Sequence, residues 1–232
     1  MRLVTWNIAR GTAAEKAPFI LPLLADVLVL QECARPDEIN DRHLWFGTNV
    51  RKGLSIQTVG EYRLNALPVR QDVPPFFIPL EVTGPESFVL MAVWAQKEPY
   101  LYAEGVSRAI AAYADLIGTR ATVLIGDFNS NAIWNAEHPA EHNHSAIVSR
   151  LDQLGCSSAY HEYFGEAHGS ETRHTYFHWW KEERPFHIDY VFIPKLWLPR
   201  LERVELGSFA QCEGASDHRP VSITLRDVDA CT

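Results

Sequence analysis

Five short polar motifs stand where apolar runs end. Asn7 interrupts Thr5-Trp6-Asn7-Ile8, Gln31-Glu32 follows Val27–Leu30, and Gly126-Asp127-Phe128-Asn129 follows Thr122–Ile125. Asp189 lies inside the run from Phe186 to Ile193, and Ser216-Asp217-His218 precedes Val221–Leu225. A carboxylate at the end of a buried strand must meet a partner, water or a metal ion, because desolvating an ion is costly. Gathering Glu32, Asp127, Asp189 and Asp217 in one place is repulsive unless a cation neutralises them. Carboxylate, amide and water oxygens suit Mg²⁺, or Mn²⁺ in its place, better than Zn²⁺. Singly, each residue also has a plain structural role. Asp127 and Asn129 can cap a turn, Asp217 a loop, and His218 can be a hydrogen-bonded core histidine. Only the five together, in this order, point to chemistry.

That ordered set resembles the endonuclease/exonuclease/phosphatase superfamily, which includes deoxyribonuclease I, exonuclease III and inositol polyphosphate 5-phosphatases. The resemblance runs from residue 3 to about residue 225. It is specific for the superfamily and poorly specific for the substrate. It implies a four-layer α-β-β-α sandwich of two mixed sheets, with the site at one edge of both. It also implies roles. Glu32 would be the main Mg²⁺ ligand, assisted by Asn7 and Asp217. Asp127 would orient or deprotonate the attacking water, and Asn129 would hydrogen-bond the phosphate or that water. His218 would contact the scissile phosphate, with Asp189 holding its ring and favouring the imidazolium.

One departure stands out. Many relatives carry a His or Tyr on the middle strand, where this chain has Ala92-Val93-Trp94-Ala95. Indole donates a hydrogen bond but supplies no acidic proton, so Trp94 leaves the leaving group to other residues. Tyr100, Tyr102 and Arg108 follow directly, and Arg108 could grip a phosphate in bidentate fashion. Lys52 could contact a phosphate, by charge alone. Trp134 and the run His174 to Trp180 could stack on bases or fill the core. Trp179 and Trp180 are adjacent, so on a strand only one would face the core. Glu137-His138-Pro139-Ala140-Glu141-His142-Asn143-His144 has metal-like spacing, but as a polar loop it reads better as exposed histidines than as a zinc site.

The elements that must carry these residues are mostly strands. Apolar runs rich in Val, Ile and Phe recur at Leu3–Ile8, Val27–Leu30, Phe76–Val82, Phe88–Trp94, Thr122–Ile125, Ile188–Ile193 and Val221–Leu225,. Helical spacing joins Val106, Ile110, Tyr113 and Ile117, with Gly118 as the expected stop, and Ile147, Leu151 and Leu154, ended by Gly155. A shorter helix from about Ala13 to Leu24 is limited by Pro18 and Pro22. Strict strand–helix alternation is missing, because Leu54 to Val93 reads as strand after strand. A layered α/β sandwich fits better than a doubly wound sheet.

The whole composition agrees with one domain over residues 1–232, at 47% hydrophobic and 22% charged residues,. The net charge of −8 argues against a general basic sleeve for long duplexes,. Cys33, Cys156, Cys212 and Cys231 form no CxxC pair, and Met1–Ile8 is too short and polar for a signal peptide,. The expectation is a cytoplasmic monomer with reduced cysteines and no membrane segment. The function expected is a Mg²⁺-dependent phosphodiesterase, foremost a nuclease on short, single-stranded or damaged nucleic acid. The alternatives are hydrolysis of a small phosphate ester or lipid head group, and a catalytically silent binding module of the same fold.

Overall fold

The computed structural model describes residues 1–71 and 73–227. Two six-stranded sheets lie face to face. The first comprises β1 (Arg2–Asn7), β2 (Val27–Cys33), β3 (His43–Asn49), β4 (Lys52–Thr58), β13 (Leu201–Leu206) and β14 (Val221–Leu225), in the order β13-β14-β1-β2-β4-β3. The second comprises β5 (Arg63–Ala66), β6 (Phe77–Thr83), β7 (Phe88–Trp94), β8 (Thr122–Asp127), β9 (Cys156–Ser158) and β12 (Asp189–Pro194), in the order β5-β6-β7-β8-β12-β9. Both are mixed: β1–β2 and β7–β8 run parallel, and the other pairs antiparallel. A short ribbon of β10 (Tyr176–Phe177) and β11 (Pro185–Phe186) stands apart.

Period-two alternation explains why several strands are apolar without a break. Val27 and Val29 face the inter-sheet core, while Leu28 and Leu30 face an outer layer with Trp6 and Phe19,. Leu90, Ala92 and Trp94 point inward; Met91 and Val93 point outward beneath the helices. Those helices are α2 (Tyr102–Ala112), α3 (Ala114–Thr119) and α4 (His144–Gln153); α1 (Ala17–Ile20) lies against the first sheet, and α5 is Ala159–Phe164. The result is the four-layer α-β-β-α sandwich.

Two helix expectations need correction. Val106, Ile110, Tyr113 and Ile117 do share a buried face, but the helix breaks at Tyr113 and restarts, and Gly118 sits inside α3 rather than ending it. The span from Ala13 to Leu24 shrinks to α1 and a tight turn over Leu21–Leu23, because each proline lacks an amide donor and crowds the preceding turn,. By contrast, α4 buries Ile147 and Leu151 and is followed by Gly155 at φ +84, as the spacing predicts. Cys33, Cys156 and Cys212 are buried free thiols; Cys231 lies outside the described residues. Among the described residues, no helix is long and apolar enough to cross a membrane.

Candidate active site

The same alternation that builds the core delivers polar groups to one end of it. Asn7 shares the inward face with Leu3, Asp127 with Val123 and Ile125, and Asp189 with Val191 and Ile193,. Asp127 sits directly beside Asp189 on one side and Trp94 on the other in the strand register. Gly126 makes this possible. Its φ is +147, and a Cβ there would lie 1.9 Å from the Val93 carbonyl oxygen,.

Glu32 breaks the alternation. Strict period two would point Gln31 inward and Glu32 out, and Gln31 indeed bonds the inward Thr5 hydroxyl at 2.9 Å. A register shift between Leu30 and Cys33, with Glu32 at φ +58, turns the Glu32 carboxylate into the site as well,. Asn129 occupies the same left-handed region at φ +47. Two functional candidates in a conformation that side chains rarely adopt is the pattern expected where the surrounding fold holds local strain.

These residues line one open cavity of about 750 Å³, with Asn7, Glu32, Lys52, Trp94, Tyr102, Asp127, Asn129, Asp217 and His218 among its walls. Asp127 accepts from the Asn7 amide at 3.1 Å, the Asn129 amide at 3.0 Å and the Asn129 backbone N–H at 2.9 Å. Burial, reinforced by Asp189, nonetheless pushes its carboxyl up to about 7,. Asp189 Oδ2 meets His218 Nδ1 at 2.9 Å. Burial works against a charged His218, but the Asp189 carboxylate outweighs it and raises the ring to about 9,. Burial also raises the Asp217 carboxyl.

Glu32, Asn7 and Asp217 line the same cavity and are hard-oxygen donors of the kind Mg²⁺ or Mn²⁺ takes, with Asn7 Oδ1 accepting from the Ala9 N–H at 3.1 Å and Glu32 Oε1 paired with Lys52 at 3.2 Å,. Asp189 Oδ1 is buried with no hydrogen-bond partner, and the ligand atoms of Asp127, Asp189 and His218 lie within 4.8 Å of one another. A buried anion left half-satisfied in this way fits a site that takes a cation.

Other residues fix this arrangement, and the sequence reading missed them. The Ser216 hydroxyl donates to the Asn7 carbonyl at 2.6 Å and accepts from the His218 N–H at 2.9 Å, tying the last loop to β1. Arg219 is buried and donates to the Ser216 and His218 carbonyls, with its guanidinium over Phe177 and Phe209. The Thr175 hydroxyl accepts from the N–H groups of Ile188 and Asp189. Tyr176 lies 4.6 Å from the His218 ring. An arginine directly after the Ser-Asp-His motif was the one available signal.

Several sequence candidates fall elsewhere. Arg108 pairs with Glu104 at 2.8 Å and lies over the Tyr100 ring, away from the cavity. Trp134 packs on Phe186 with centroids 5.0 Å apart, and neither Trp134 nor His174 lines the cavity. Trp179 and Trp180 are not on a strand. They lie in a turn at φ +57 and +61, both exposed, and only Trp180 reaches the cavity.

The histidine-rich loop before α4 gathers no metal-like cluster among the described residues. His144 instead turns inward, bonding Ser130 Oγ at 2.9 Å and His168 at 3.0 Å. His161, His168 and Glu171 bring ligand atoms within 4.8 Å of one another. However, the His161 and His168 rings are stacked at 3.4 Å and 19°, so an ion in the plane of one lone pair lies out of the plane of the other. Burial holds His168 down at about 2 and His144 at about 3. Glu171 accepts from His161 and from the Asn131 amide, so this network anchors the loop that follows Asp127.

Comparison with solved structures places the fold. A 3′ phosphatase from Neisseria, bound to a product DNA hairpin, matches at TM-score 0.67 and 19% identity over 97% of this chain and 99% of that one. An AP endonuclease from Archaeoglobus fulgidus matches at 0.71 and 14%, over 97% and 99%. The endonuclease domain of TRAS1, a telomere-specific non-LTR retrotransposon, matches at 0.68 and 16%, over 97% and 98%. No protein-family model and no curated protein matches the sequence. The chain therefore shares the endonuclease/exonuclease/phosphatase fold of these structures over 97% of the sequence.

Proposed function

We propose that this protein is a divalent-metal-dependent phosphodiesterase acting on nucleic acid, foremost on short, single-stranded or damaged strands. The observation that carries this reading is the convergence of two polar pairs, Asn7–Asp127 and Asp189–His218, beside Glu32 and Asp217 in one cavity. The nucleic-acid arm draws support from the three similar structures. The net charge of −8 weighs against a long duplex,.

In this reading Glu32, Asn7 and Asp217 hold Mg²⁺, which when bound supplies positive charge against the phosphate. Asp127, held by Asn7 and Asn129, orients the attacking water and takes its proton. The His218 imidazolium donates to a phosphate oxygen and stabilises the charge that builds there. Asp189 keeps that ring charged and fixed in orientation. Tyr102, Lys52 and Trp94 line the substrate side of the cavity.

The test is a matched set of assays with Mg²⁺, with Mn²⁺ and with EDTA. Substrates are single-stranded, duplex and abasic oligonucleotides, phosphoinositides and a nitrophenyl phosphodiester. Metal-dependent cleavage of oligonucleotides, fastest on single-stranded or abasic ones, is expected. Turnover confined to phosphoinositides would overturn the nucleic-acid reading. No turnover of any substrate would leave a binding module.

A further inference from the structure

Across the open end of the sandwich, the polar side chains form two rows that meet. Neighbouring strands β12, β8 and β7 of one sheet present Asp189, Asp127 and Trp94. The other sheet presents His218, just before β14, and then Asn7, Glu32 and Lys52 from β1, β2 and β4. The rows pair off in order. His218 meets Asp189 at 2.9 Å, and Asn7 meets Asp127 at 3.1 Å. The Lys52 ammonium lies 5.0 Å from the Trp94 ring centroid and 3.2 Å from Glu32 Oε1. With strands about 4.8 Å apart, Asp189 and Trp94 are separated by two spacings, or roughly 10 Å. A phosphate over the Asn7–Asp127 pair therefore has a cation on either side, His218 at one end and Lys52 at the other.

In-line displacement has two ends with different needs. The attacking end needs a base, which Asp127 provides. The departing end needs positive charge or a proton, and on that wall the indole of Trp94 offers no acid. The other cations of the cavity, Arg10 and Lys97, are exposed. Lys52 is the cation packed into that wall, on the ring face where cation–π attraction is favourable,.

We infer that Lys52 is a catalytic residue whose ammonium neutralises the charge developing on the leaving oxygen, an inference that rests on the phosphodiesterase reading. The oxygen of the attacking water bonds to phosphorus and one of its protons passes to Asp127. The electron pair of the breaking P–O bond goes to the leaving oxygen, which faces the Lys52 ammonium and takes its proton from solvent. Lys52 contributes charge and gives up no proton. In the free protein its ammonium is shared between Glu32 and the ring. A divalent ion on Glu32 would leave Lys52 held by Trp94, with its N–H groups free for substrate.

The experiment compares wild type, Lys52→Met and Lys52→Arg on dinucleotides and on nucleoside aryl phosphodiesters of graded leaving-group acidity. Magnesium affinity is measured in parallel by calorimetry, and folding by thermal melts. Lys52→Met should lose about a hundredfold in kcat on the dinucleotide, whose leaving group is an alkoxide, in line with loss of one oxyanion-stabilising donor. The same variant should lose only a few-fold on the nitrophenyl ester, whose leaving group needs little help. Lys52→Arg should recover most of the dinucleotide rate. Magnesium should bind Lys52→Met as well as wild type or better, because the competing ammonium is gone. An equal loss across the series, no loss at all, or a loss that tracks weakened magnesium binding would overturn the inference. A wild type that cleaves none of these diesters would instead sink the phosphodiesterase reading, and the inference with it.

Discussion

At the residue scale, the site is defined by two groups whose ionisations have been pushed from their usual places. Asp127 is raised to about 7 by burial and by Asp189, and His218 is raised to about 9 by Asp189. With the roles proposed above, the productive form has Asp127 as a carboxylate and His218 as an imidazolium, and it exists between those two values. A plot of kcat/KM against pH should therefore rise through about 7 and fall through about 9,. Asp189→Asn removes the charge that raises both groups, so both limbs should move to lower pH; limbs that stay in place would rule out the assigned partner. Stability has its own sign. Both groups bind their protons more tightly in the folded protein than their ordinary values of 3.8 and 6.5 imply. The contribution is lost as pH rises, from Asp127 between 3.8 and about 7, and from His218 between 6.5 and about 9,. The wild-type melting temperature should thus fall between pH 6.5 and 9 more steeply than that of His218→Asn. For the proposed metal site, Glu32→Gln removes the carboxylate charge without removing volume. Magnesium affinity should drop by at least about tenfold while the melt changes little, in line with the weight of ligand charge at hard-cation sites. Unchanged affinity by titration calorimetry would remove Glu32 from the donor set.

At the element scale, what the strands do follows from side-chain parity. Leu3, Thr5 and Asn7 share a face, as do Val123, Ile125 and Asp127, or Lys52, Leu54 and Ile56. The apolar members of each set identify the inner face, and the polar member at the strand end then belongs to the site,. That much was legible in the sequence for β1 and β8, whose ends were placed to within about two residues, whereas β4 was not delimited and Lys52 stood out by its charge alone. Glu32 was not legible by this rule, because the shift between Leu30 and Cys33 flips its face, and a bulge leaves no periodic signature,. Only its place in the ordered motif marked it. The Trp179–Trp180 turn was misread for a related reason, since aromatic pairs favour strands by propensity while the left-handed φ at both is a tertiary effect,. Arg219 and Thr175 act through backbone groups brought together by folding, which residue type alone does not reveal. Gly126 offers the sharpest test at this scale. Gly126→Ala places a methyl 1.9 Å from the Val93 carbonyl oxygen at a φ of +147. It should destabilise the protein by about 3 kcal/mol or more, the range of strain and overpacking combined. A loss under about 1 kcal/mol in denaturant unfolding would mean that β7 and β8 separate easily there.

At the scale of the whole molecule, a net charge of −8 surrounds a cavity lined by Arg10, Lys52, Lys97 and the His218 ring. If these four make the phosphate contacts, oligonucleotide affinity should fall with salt at a logarithmic slope of about −3, the value for four contacts on a single strand. A slope steeper than about −5 would require a larger basic surface than this cavity provides. The order of strands carries one more consequence. β1 pairs with β2 on one side and with β14 on the other, so a strand made early is completed by one made more than two hundred residues later. The residues that would cut are spread along the same span, from Asn7 to His218. A chain still on the ribosome lacks His218 and the strand that ties its loop to Asn7. In the proposed reading, cleavage would thus be withheld until translation has passed His218 and β14, and a shorter nascent chain could not attack the message that encodes it.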